Sequence, residues 1–308
     1  LLGGAERLRL EAEVAGIEGA AIDTSSGGPD YAVRLSFARP AVPRRDTDLT
    51  FDAEVSREDA EDFQLDSVTL QGGFTRYVGN SLTLSGALGV QVAEERDPAG
   101  TSRYTLLTLP LSAVNERRDD PRDATSGNYA DLELTPFLGV AGDAGTGARL
   151  YADARVYRTL GTRVTLAARG QAGSLVGASA DDVPADLAFL AGGGGSVRGR
   201  SYQSIGVEET VAEDGGAIDF TAPGASLLGA QLEARVGITD SIGAVAFYDA
   251  AAVGEGSFGG GGEFGAGVGV GARYDTSVGP IRLDVATPTS GDDAFGGIQV
   301  YIGIGQSF

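Results

Sequence analysis

Apolar and polar residues alternate with period two along nearly the whole chain. After Glu6, the residues Arg7, Arg9, Glu11 and Glu13 interleave with Leu8, Leu10, Ala12 and Val14, which puts the two sets on opposite faces of a strand and not on the stripe of a helix. Leu132 and Leu134 interleave with Asp131, Glu133 and Thr135, and Leu150, Ala152, Ala154 and Val156 with Arg149, Tyr151, Asp153, Arg155 and Tyr157. Val164, Leu166 and Ala168 stand against Arg163, Thr165 and Arg169, and Leu232, Ala234, Val236 and Ile238 against Gln231, Glu233 and Arg235. Ile281, Leu283 and Val285 oppose Arg282 and Asp284, and the final segment puts Ile298, Val300, Ile302 and Ile304 on one face with Phe308. One face of each strand is greasy and the other charged.

This alternation predicts about fourteen strands, over residues 6–18, 30–39, 47–58, 63–77, 80–94, 102–115, 126–140, 147–158, 162–176, 225–238, 241–253, 262–274, 279–287 and 297–308. Gly27-Gly28-Pro29, Gly79-Asn80, Asp97-Pro98-Ala99-Gly100, residues 143–147, Thr239-Asp240 and Gly279-Pro280 supply the turn chemistry between them. Some joins are tight and others long, as at 177–188 and 207–224. Short turns at one end and long loops at the other suit a barrel.

Barrels often exceed 200 residues as one domain, so 308 residues fit a single large all-β unit. No window approaches the roughly 18 consecutive apolar residues of a membrane-spanning helix, whereas a barrel strand crosses with about ten residues of which every second is apolar. A soluble sandwich hides its apolar face, and this many strands with charged inner faces would have to divide into two cores. A closed barrel turns the apolar face to lipid and the charges to a wet interior, leaving no unpaired edge. The pattern favours an antiparallel transmembrane β-barrel, with a sandwich, propeller or β-solenoid as the alternative.

Composition removes much chemistry. The chain has no cysteine and no histidine, which excludes Cys/His zinc sites, thiol catalysis and Ser/His/Asp triads. All 23 basic residues are arginine, and 43 acidic residues bring the formal net charge to −20, so a nucleic acid backbone is repelled and is not an expected partner. The chain begins at Leu1 with neither an initiator methionine nor a signal-peptide pattern, the mark of a processed chain or of a portion of a longer one.

Three stretches invite a chemical reading. GGGGSVRGRSYQSIG, residues 192–206, has the glycines of a phosphate loop but neither a lysine nor a βαβ context; Val197, Arg198, Tyr202 and Ile205 are not linker residues either. RRDDPRDATSG, residues 117–127, gathers Asp119, Asp120 and Asp123, yet lacks EF-hand spacing and reads as turn chemistry. Asp249 in AVAFYDAAAVG shares a period-two face with Val245 and Phe247. A charge meeting lipid at mid-membrane costs up to about 2–4 kcal/mol, somewhat less for aspartate, so this face is expected to look inward, with something packed on Phe247. Paired hydrolase carboxylates have no fixed separation among so many acids.

FLAGGGGSVRGRSYQSIG, residues 189–206, resembles the Omp85 superfamily of outer-membrane assembly and translocation barrels, and most of all its TamA-like branch. That family carries a Val-Arg-Gly-aromatic motif on a long loop folded into the barrel; here Val197-Arg198-Gly199 is followed by Arg200, with Tyr202 nearby. RRDDPRDATSG resembles the family's segment before a mid-barrel strand, YDTSVGPIRLDVATP (274–288) its penultimate strand, and GIQVYIGIGQSF its last. LLGGAERLRLEAEV resembles the region around the end of strand two and the start of strand three.

The resemblance implies a barrel of sixteen strands in the family, of which the first two and the preceding POTRA domains are absent from residues 1–308. It implies a loop motif of Gly192, Gly193, Val197, Arg198 and Gly199, with Arg198 reaching Glu233 and Asp249 on the two strands after the loop, and Phe308 as a terminal signal read by the barrel-assembly machinery. It also implies insertion or export of client outer-membrane or secreted proteins through a seam between first and last strands, in the outer membrane of a Gram-negative bacterium. The partners implied are the lipid bilayer, the clients and a periplasmic TamB-like protein. No cofactor, metal or enzymatic activity is implied. A passive porin and a two-partner-secretion transporter are the alternatives.

Overall fold

A computed structural model describes residues 5–15, 30–213, 216–277, 279–291 and 294–308. The first part of the chain forms β1 (Arg7–Ala15), β2 (Asp30–Arg39), β3 (Thr47–Asp59), β4 (Gln64–Val78), β5 (Leu82–Asp97), β6 (Gly100–Thr108) and β7 (Leu111–Glu116). Then come β8 (Gly127–Gly142), β9 (Thr146–Leu160) and β10 (Val164–Val176). A long loop carries one 3-10 turn (Ala180–Asp182) and a two-stranded hairpin, β11 (Val207–Glu213) with β12 (Gly216–Ala222). The chain finishes with β13 (Ser226–Gly237), β14 (Ile242–Gly254), β15 (Glu263–Tyr274), β16 (Ile281–Pro288) and β17 (Gln299–Ile304).

Every strand except the loop hairpin belongs to one 15-stranded antiparallel sheet that runs from β1 to β17; β6 and β7 both lie between β5 and β8, and every other strand sits beside its sequence neighbour once the loop is passed. The alternation that predicts the strands also decides their faces. On β13, Leu228, Leu232 and Val236 are exposed while Gln231, Glu233 and Arg235 are buried. An exposed apolar face over a buried charged one is the reverse of a water-soluble sheet and is what a barrel wall in lipid requires. The same loop touches walls far apart in the sheet: Gln203 donates to Glu58 on β3, and Arg198 to Asp249 on β14. The sheet is therefore rolled around the loop.

Four features depart from the sequence expectations. The segment 102–115 is two strands, because Pro110 has no N–H to give to the ladder; the break is stitched by Ala87 N–H to Pro110 O and Leu109 N–H to Pro136 O. The join 207–224 holds the hairpin β11–β12. Long and short joins do not separate cleanly by end, since the tight Pro98-Ala99 turn shares an end with the long loop, and residues 117–126 form a ten-residue join at the other. Finally, Phe308 does not share a face with Ile298, Val300, Ile302 and Ile304: those four are exposed and Phe308 is buried. Gly305 takes φ +90°, a conformation that side chains disfavour, and turns the tail off the strand into the interior.

The turn at Gly27-Gly28-Pro29 and the end of the 6–18 segment lie outside the described residues. Among the described residues no ladder joins β1 to β17.

Candidate functional site

The interior is filled by residues 177–206, which cross from one wall to the other. The first limb is fixed near β5 and β6. Ala185 N–H donates to Glu95 at 2.8 Å, Gln91 Nε2 to Asp186 Oδ2 at 2.6 Å, and the Tyr104 hydroxyl to Asp181 O at 3.2 Å. Phe189 lies in a notch left by Gly173, where any Cβ would overlap its ring, and Arg149 stacks over its other side at 4.9 Å.

The protein packed around the lumen-facing Asp186 partly desolvates its carboxyl and pushes it up to about 6, against its ordinary 3.8, although the side chain stays exposed. A group raised in the folded state supports folding fully below its ordinary value and loses that support as pH climbs through its folded value. The limb is thus held best at acidic pH and loosens toward neutrality, by less than the full shift because water reaches the Asp186 side chain. The expected result is that Asp186→Asn gains in thermal midpoint relative to wild type between pH 5 and pH 7.5; parallel pH curves for the two proteins would show that Asp186 is not the group responsible.

The glycine run forms the turn before the motif. Gly192 and Gly193 take φ +113° and +84°, and Ser196 Oγ closes the turn by bonding Gly192 N and O at 2.8 and 3.0 Å. The wall holds the run in place, since Arg169 donates to Gly195 O and Gln231 to Ser196 O. Val197 is completely buried with Ala191, Ile205, Ala251 and Val253. Gly199, at φ +99°, brings the backbone so close to Thr287 that a Cβ would stand 2.7 Å from its carbonyl.

Arg198 is completely buried. Its Nε and Nη2 bind the two oxygens of Asp249 at 2.7 and 3.0 Å, and its backbone N–H adds a third bond to Asp249 at 3.1 Å. Nη1 reaches Glu233 at 2.7 Å and Asp284 at 3.2 Å. The guanidinium carbon stands 3.5 Å from the centre of the Phe247 ring, which is what fills the space over Phe247. Arg235 pairs with the other oxygen of Glu233, and Arg273 with Asp284. Arg198, Arg235 and Arg273 therefore balance Glu233, Asp249 and Asp284. A buried charge is tolerated only when paired and hydrogen-bonded, and such a network fixes geometry more than it adds net stability.

Strand register lines these groups up: Glu233 lies opposite Phe247, Asp249 opposite Gly267, and Gly271 opposite Asp284. The inward positions of β15 are Gly265, Gly267, Gly269 and Gly271, and a Cβ at each would overlap Ile205, Arg198 O, Phe247 and Asp284 respectively. In this glycine track Gly265 and Gly267 open the wall to the loop tip, while Gly269 and Gly271 make room for the Phe247 and Asp284 side chains that meet Arg198.

Asp284, the glycine track and Gln231 are not singled out by the sequence. The alternation puts Asp284 on the charged face of its strand, but so many acids share such faces that parity alone does not select it. Arg200, standing where the resemblance expects an aromatic, pairs with Glu263 at the start of β15 and also donates to Ser290 O. Asp119 organises its own turn: burial opposes its charge, but bonds from Thr125, Ser126 and Asp120 hold its carboxyl well below the usual range.

Phe308 packs with Ala124, Tyr157 and Ala167. Its ring is 6.3 Å from that of Tyr157, and Arg235 donates to its carbonyl at 3.2 Å. Gln306 bonds Asp123 at 3.0 Å and Arg122 O at 3.2 Å, so the end of the chain is tied to the 117–126 loop.

The fold and its interior define a transmembrane β-barrel occupied by an arginine-pinned inward loop. The chain belongs to the Omp85 superfamily, whose domain matches residues 1–308. Its fold is similar to that of BamA from Haemophilus ducreyi lacking POTRA domains 1–3, at 18% identity and a TM-score of 0.71, covering 89% of this chain and 60% of that one. It is also similar to CdiB from Acinetobacter baumannii, at 10% identity and a TM-score of 0.53 over 96% of this chain and 64% of that one. CdiB from Escherichia coli matches at 14% identity and 0.53, over 91% and 53%. The chain thus spans less than two thirds of the length of each of these structures.

Proposed function

We propose that residues 1–308 are the barrel of a bacterial outer-membrane protein of the TamA-like kind, which inserts or exports client proteins at a seam and performs no covalent chemistry. The observation that carries this reading is the loop pinned by Arg198 inside a barrel wall whose apolar face is turned outward. A seam strand whose ladder opens presents the N–H and C=O groups that an incoming β segment needs for pairing. In this reading two further strands and POTRA domains precede residue 1 in the full protein, and a TamB-like protein meets them in the periplasm.

The test is reconstitution of the full-length protein in liposomes, with an unfolded outer-membrane barrel added and its folding followed by gel mobility. Folding several-fold faster than in empty liposomes is the expected result. Export of a soluble β-rich polypeptide without faster barrel folding would replace this reading with two-partner secretion. Steady ion conductance that Arg198→Ala leaves unchanged, with neither activity, would replace it with a passive pore.

A further inference from the structure

Tyr301 lies on the inner face of β17 and belongs to both the last strand and the loop. Its hydroxyl accepts the backbone N–H of Gly199 at 3.0 Å and is 3.3 Å from the carbonyl oxygen of Arg200, to which it donates. Its ring packs with Val245, Phe247 and Ala286. Gly194 leaves room for that ring, since a Cβ there would come to 3.1 Å from Cδ1. The ring that supports the Arg198 guanidinium, Phe247, is thus also a wall of the Tyr301 site. No other side chain of β17 bonds the loop among the described residues, and the next inward anchor of this strand's end is the tail beyond Gly305.

We infer that Tyr301 is a positioning residue that couples the loop motif to the last strand, so that the loop leaves the wall and β17 shifts in a single equilibrium. The reason lies in what the hydroxyl satisfies. The hydroxyl is the partner of Gly199 N–H at the loop tip, whereas Arg200 O also accepts Gly193 N–H at 3.1 Å, and a buried backbone group left unpaired is costly. The Gly199 N–H therefore keeps its bond only while β17 stays beside β16. Conversely, β17 is a six-residue strand paired to β16, and Tyr301 is the side chain that ties it to the tip. Coupling of this kind is reciprocal: a change on either side moves the other by the same factor. The inference rests on reading β17 as one side of the seam; its test uses no client and is decided separately from the transport reading.

The experiment takes the full-length protein in lipid nanodiscs and measures two things: trypsin cleavage after Arg198 or Arg200, and hydrogen exchange of the β17 amides. Tyr301→Phe keeps the ring and removes only the hydroxyl. It is expected to speed loop cleavage roughly tenfold, the scale of one or two lost hydrogen bonds, and to raise β17 exchange alongside. Arg198→Ala, with no contact to β17 of its own, is expected to raise β17 exchange while exposing Arg200 to cleavage. Faster exchange in β17 with loop cleavage unchanged in Tyr301→Phe would overturn the coupling. An open loop in Arg198→Ala with β17 exchanging at the wild-type rate would overturn it equally, and that arm decides the matter should Tyr301→Phe not fold.

Discussion

Arg198→Ala is expected to release the loop from the barrel wall and to abolish function while leaving the strands in place. The cost follows from what stays behind. Glu233 keeps Arg235 and Asp284 keeps Arg273, but both oxygens of Asp249 bond Arg198, so the removal strands one fully buried carboxylate. Breaking a buried pair from one side costs on the order of 3–5 kcal/mol, enough to turn a loop seated nearly all the time into one mostly detached. Trypsin cleavage after Arg200 reads the detachment. The double variant Arg198→Ala/Asp249→Asn removes the stranded charge and should recover part of the protection, because an unpaired amide is cheaper to bury than an unpaired carboxylate. Arg198→Lys should fall between, since an ammonium keeps the charge but not the two-pronged geometry. A protein whose loop stays protected in Arg198→Ala would show that the glycine track, not the charges, seats the tip.

The second large effect touches no charge at all. Gly267 faces the carbonyl of Arg198 so closely that any side chain overlaps it. Neither party can yield, because one is strand backbone and the other is the backbone of a fully buried residue. Gly267→Val should therefore lift the tip far enough to break the 2.7 Å contact with Asp249, and loop cleavage and loss of function should approach those of Arg198→Ala. Gly170→Val on β10 is the matched control, as nothing stands within 4 Å of a Cβ there, and its effect should stay within about 0.5 kcal/mol. Equal behaviour of the two valine variants would mean that the tip does not need the track.

The two predictions mark what alternation does and does not disclose. Parity places Asp249 inward because Val245 and Phe247 share its face, and the price of a charge in lipid decides which face that is. Parity does not give depth or distance, so Asp284 reads like any other inward acid, and only the register of β13 to β16 brings it to Arg198. Glycines in β15 carry no polarity, so a period-two reading sees a weak strand where the fold has a channel for the loop. Pro110 and Gly305 end their strands by backbone conformation, which a hydrophobic pattern averages over. The hairpin β11–β12 does alternate, with Ile218, Phe220 and Ala222 on one face of β12, but two strands of seven residues inside a long join are too short for the pattern to separate them from the loop.

The burial of Phe308 bears on the proposal that it is an assembly signal. Phe308 retains 6% of its surface, locked between Tyr157 and Arg235. A factor that reads this residue must meet it before the tail folds inward, because afterwards the ring is out of reach. On the proposal that Phe308 is an assembly signal, it would act as a label erased by its own delivery: legible before the tail folds in, silent afterwards, and so a means by which folded barrels drop out of the queue without competing with those still waiting.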